Sequence, residues 1–115
     1  MPRELRLVSA EPATGAHVLL AAVEVDGSLV PRLLYDGWVT QLVDHDDVAV
    51  VSIEQSREIE DTTDLERLTG LRVPTGPCWL TEATAPWGPA GEVGIEVVRA
   101  LARLLEAQLS VEAVT

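Results

Sequence analysis

Glu92-Val93-Gly94-Ile95-Glu96-Val97-Val98-Arg99-Ala100-Leu101-Ala102-Arg103-Leu104-Leu105-Glu106-Ala107-Gln108-Leu109 carries apolar side chains at helical spacing. Val97, Leu101, Leu104 and Leu105 fall on one face, and Glu92, Glu96, Arg99, Arg103 and Glu106 on the other. The pattern predicts one long helix over residues 92–109 that buries a single stripe. Its glutamates precede its arginines, which suits the helix dipole, and the pairs Glu96 with Arg99 and Arg103 with Glu106 would each add roughly a few tenths of a kcal/mol.

A helix with one apolar stripe needs a second layer to cover it, and the chain before it reads mainly as strands. Arg3 to Ser9 alternates loosely enough for a short strand. His17 to Val25 is rich in leucine and β-branched residues and runs into Asp26-Gly27, a dipeptide suited to a type I′ hairpin. The segment is therefore expected to be a strand that pairs with Leu29 to Tyr35, where Pro31 lacks a ladder donor and implies an edge or a bulge. Asp36-Gly37 offers a second tight turn into Trp38 to Val43, and the acidic knot Asp44-His45-Asp46-Asp47 precedes Val48 to Ile53, an apolar run fit for a strand covered on both faces.

Further on, Thr63-Asp64-Leu65-Glu66 has the form of a capping box for a helix of two turns at most, with Leu65 and Leu68 facing the core and Gly70 closing it. Cys78 to Thr84 reads as another strand. The loop 85–91 (Ala85-Pro86-Trp87-Gly88-Pro89-Ala90-Gly91) resists regular structure and resembles a preorganised binding loop. The expected architecture is α+β: a mainly antiparallel sheet of five or six strands, with one long C-terminal helix and one short helix packed on it, in a single domain over residues 1–115.

Composition narrows the function. With 115 residues and 47% hydrophobic side chains the chain can build one core. Its net charge of −11 makes nucleic acid and anionic membrane surfaces unfavourable partners and favours a basic protein, through long-range steering. All eight basic residues are arginines, a bias of the kind a GC-rich bacterial genome imposes. No lysine is present, which removes Schiff-base and P-loop chemistry, and no dinucleotide-binding, Cys-x-x-Cys or Gly-x-Ser-x-Gly motif occurs. Cys78 stands alone, so no intrachain disulfide forms, and its expected role is that of a small buried apolar residue. His17 is expected at a half-buried polar end.

The longest apolar run, Val18 to Val23, is far short of the roughly 20 residues of a membrane span, and the first residues lack a signal-peptide core, so the cytoplasm is the expected compartment.

Among the three tryptophans, Trp79 is expected in the core and Trp87 partly exposed beside acidic residues, the composition of an interface hot spot. The expected partner-binding set is Trp87, Trp38, Asp44, Asp46 and Asp47, joined by Asp26, Asp36 or Glu54 where these cluster into an acidic patch. The expected function is a non-enzymatic module that binds a basic partner protein, such as an immunity protein or antitoxin covering a toxin, or a small chaperone of a secreted protein. No cofactor and no metal are expected. The alternatives are a homo-oligomeric assembly subunit, with a homodimer built on the strand containing Pro31, and a small ligand- or metal-binding enzyme that uses the turn Asp44-His45-Asp46-Asp47.

Overall fold

The computed structural model describes residues 2–73 and 76–112, without the side chains of Asp64 and Leu68. In chain order the elements are β1 (Arg3–Ser9), α1 (Gly15–Val25), β2 (Val30–Leu34), β3 (Val39–Val43), β4 (Ala49–Glu54), β5 (Arg57–Glu58), α2 (Thr63–Thr69), β6 (Trp79–Ala85), α3 (Pro89–Leu105) and β7 (Gln108–Val111). The strands form one antiparallel sheet in the order β2-β3-β4-β6-β1-β7, with β5 paired to β6. The fold is α+β.

Alternation along the strands divides the interior in two. Leu5 and Leu7 of β1, Leu42, Val51, Ile53, Ala83 and Ala85 point to one face, where they pack with Val18, Ala21 and Ala22 of α1 and Ile95, Val97, Val98 and Leu101 of α3. Val8 and Leu80, one step out of phase with Leu7 and Ala83, point to the other face and meet Leu65 of α2 and Cys78. Both cores are aliphatic. Trp79, expected inside, is only half-buried, because it begins β6 at the margin of the sheet.

Two glycines let α3 lie directly on backbone, Gly91 on the loop that leads into the helix and Gly94 on β4. A Cβ on Gly91 would lie 1.6 Å from the Pro86 carbonyl oxygen, and one on Gly94 would lie 1.9 Å from that of Val50. The helix therefore rests directly on backbone at both points. It begins at Pro89, inside the segment expected to be irregular: Pro89 has no N–H to leave unpaired at a first helical position, and Gly88, at φ 100°, supplies the entry bend.

The expected helix over 92–109 ends early. Glu106 takes a left-handed conformation at φ 51°, and Gln108–Val111 becomes β7, registered against β1 from Val8 to Leu5. Leu104 is 42% exposed, outside the buried stripe. Of the two expected pairs, Glu96 with Arg99 forms at 3.4 Å, whereas Arg103 reaches Glu24 of α1 at 3.1 Å.

The strand expected over His17 to Val25 is helix α1. Thr14 caps it: the Thr14 hydroxyl oxygen accepts from the His17 amide (3.3 Å) and His17 Nδ1 accepts from the Thr14 amide (3.1 Å), a capping box with histidine in the usual place of glutamate. His17 is half-buried, as expected, but at the start of a helix. Asp26 makes no type I′ turn; it is extended at φ −158°, and its carboxylate accepts the Ser28 amide (2.9 Å) and hydroxyl (2.7 Å). The second expected turn does form, with Tyr35, Asp36 and Gly37 all at positive φ.

In α2, Thr63 is the first helical residue rather than the cap, and its amide is accepted by the Asp61 carboxylate at 3.0 Å. Leu65 is buried and Gly70 closes the helix at φ 70°, while the Leu68 side chain lies outside the described residues.

Candidate functional site

The strand register gathers three loops at one end of the sheet. Val30 pairs with Val43, Val43 with Ala49, and Ser52 with Thr84 antiparallel, so the α1–β2 loop, the β3–β4 turn and the β6–α3 loop all lie at that end. The β3–β4 turn is rigid. Asp44 turns its carboxylate back on the chain, accepting the amides of Asp46 (2.9 Å) and Val48 (3.0 Å), and Asp47 sits at φ 62°. This geometry sends His45, Asp46 and Asp47 outward, all three exposed. Asp47 pairs with Arg32 of β2, and His45 Nε2 lies 3.4 Å from an Asp46 carboxylate oxygen.

Asp26 joins this group from the neighbouring loop. The Ser28 hydroxyl and amide hold its carboxyl below the usual aspartate range, against a smaller opposing effect of burial, and the nearby His45 imidazole lowers it further. Asp26 thus favours its ionised form near the β3–β4 turn, which carries His45. Of the acidic residues expected to extend the patch, Asp26 does so; Asp36 and Glu54 stand at the opposite end, in the β2–β3 turn and at the end of β4.

Trp87 occupies the β6–α3 loop at the acidic end. It is 46% exposed, and the Arg3 guanidinium carbon stacks 5.2 Å from its ring centroid. Arg3 is itself fixed, donating to the Glu112 carbonyl (2.8 Å) and pairing with Glu92 (3.2 Å). One face of the indole is therefore supported while part of its surface stays in water. Beside Trp87, over the start of β4 and the end of β6, lies a cleft of about 460 Å³ walled by Pro2, Ala49, Ser52, Thr84 and Pro86. Val48, 44% exposed, and Val30, 55% exposed, add apolar surface at this end.

Trp38 does not belong to this site. It precedes β3, whereas the Asp44 turn follows it, so the length of the strand separates them; Trp38 is 62% exposed and lines a separate cleft with Glu54, Arg57 and Glu82. The expected set thus divides into Trp87, Asp44, Asp46 and Asp47 at one end and Trp38 at the other. Sequence reasoning missed Arg3, whose stacking on Trp87 depends on strand register and leaves no local mark.

Among the described residues, no three histidine, cysteine or acidic side chains converge as a cation site would require. In the Asp44-His45-Asp46-Asp47 turn, the Asp44 carboxylate is engaged by amides and that of Asp47 by Arg32. Cys78 is fully buried, and burial pushes its thiol above the usual range. No helix of the described residues is long and apolar enough to cross a membrane. No protein-family model matches this chain, and no curated protein and no solved structure shows significant similarity to it.

Proposed function

We propose that the protein is a non-enzymatic binding module that holds a basic partner protein at the acidic end of its sheet, as an immunity protein or antitoxin covers a toxin or a small chaperone accompanies a secreted protein. The observation that supports this is that Asp26, Asp46 and Asp47 share one end of the sheet with the supported, half-exposed indole of Trp87, in a chain of net charge −11. The two components do different work. Carboxylates on rigid turns steer a cationic surface and set its orientation, which acts on the association rate. An indole held by Arg3 loses little freedom on contact and buries a large flat surface, which acts on the lifetime of the complex.

The experiment is an affinity capture from host lysate with the tagged protein and, in parallel, with a Trp87→Ala/Asp46→Asn/Asp47→Asn bait. Recovery of a basic protein by the first bait, lost with the second and lost as salt rises, supports the proposal. Capture that is indifferent to the substitutions, or no basic protein at all, contradicts it.

A further inference from the structure

Among the described residues, none covers the outer face of α1. The helix buries Val18, Ala21 and Ala22, and turns Leu19 (47% exposed), Leu20 (59%) and Val23 (66%) outward. Leu33 of the edge strand β2, 70% exposed, lies at the margin of this helix, across a cleft lined by Gly15 and the buried Val18. The face carries almost no charge. The only acidic residue of α1, Glu24, is held by Arg103, and the only charged residue of β2, Arg32, is held by Asp47.

We propose that this face is a two-fold interface on which a second copy of the chain docks, α1 against α1 of its mate, with Leu33 at the margin. Charge selects the occupant. Two copies of a −11 chain repel wherever carboxylates oppose one another, and an uncharged face is where they meet at least cost. Area agrees. The four large side chains leave on the order of 400 Å² of apolar surface outside, and with Ala16, Pro31 and Tyr35 around them the face moves toward the roughly 800 Å² per partner of a standard specific interface. An uncharged apolar stripe also complements itself, as an isologous contact requires. Pro31 removes one donor from β2, which favours helix packing over extension of the sheet across the dimer.

The proposal is independent of the acidic-end reading, and salt separates the two. Sedimentation velocity of the full chain over a concentration series should show a dimer whose dissociation constant falls as salt rises, because like charge is screened while apolar burial is retained. Leu20→Glu/Val23→Glu should weaken association at least tenfold with an unchanged circular dichroism spectrum. Cys78 is buried, so Leu20→Cys or Val23→Cys places a reactive thiol on the proposed interface, and mild oxidation of at least one should give a covalent dimer. A wild-type chain that stays monomeric at about 100 µM, a glutamate variant that still dimerises, association that weakens with salt, or failure of both cysteine variants to cross-link would each overturn the proposal.

Discussion

Replacing Gly94 with alanine should lift α3 from the sheet. The added Cβ would stand 1.9 Å from the Val50 carbonyl oxygen, 2.7 Å from its carbon and 2.9 Å from Val51 Cβ, whereas ordinary contact begins near 3.4 Å. Relief requires a displacement of about 1.5 Å, and the obstacle is β4 backbone, which cannot swing aside as a side-chain end can. Overpacking costs about 1–3 kcal/mol, and this geometry belongs at the upper end, while alanine returns about 1 kcal/mol of helix preference. The net loss is about 2 kcal/mol, roughly 8 °C in Tm for a domain of this size. Thermal and urea unfolding followed by circular dichroism measures it, with Gly15→Ala as the control, since a Cβ there meets nothing within 4 Å. A Gly94→Ala chain as stable as wild type would refute the packing argument.

Other consequences are equally direct. The Asp26 carboxyl is held below its usual value of 3.8 chiefly by the Ser28 hydroxyl, so its contribution to stability is present above that pH and disappears as the pH falls through the depressed value; Ser28→Ala should lower the urea midpoint at neutral pH, and the difference should vanish in acid. Cys78, fully buried with its thiol raised, should react with a maleimide roughly a hundredfold more slowly in the native chain than in urea, and equal rates would place it at the surface. Trp38→Ala should leave partner affinity within about twofold, because the length of β3 separates it from the acidic turn; a loss matching that of Trp87→Ala would move the interface.

The α+β class was legible because α3 buries one stripe at a 3.6-residue period, while β6 alternates and β4 is a short apolar run bounded by turn residues. Helix α1 was not. A helix is recognised by a polar face, and α1 presents leucine and valine to solvent, so its period is erased by the same residues that make its outer face adhesive. Its cap carries histidine where glutamate is the familiar signal. β7 escaped for the complementary reason: the turn before it is made by Glu106 at φ 51°, and only a glycine there would have announced the helix end. At the acidic end, Asp44, Asp46, Asp47 and Trp87 were each readable as turn or loop residues. Their assembly with Asp26 and Arg3, and the exclusion of Trp38, follow from strand order and register, which local sequence does not encode.

The most direct test of the account is stopped-flow association of the captured basic partner with Asp44→Asn/Asp46→Asn/Asp47→Asn and with Trp87→Ala. Asparagine keeps the oxygen that closes the turn at Asp44 and tolerates the positive φ at residue 47, so the charge changes while the backbone is retained. The triple variant should associate roughly tenfold more slowly with a shallower salt dependence, and Trp87→Ala should chiefly hasten dissociation. Unchanged rates for both folded variants would contradict the placement of the interface at this end of the sheet.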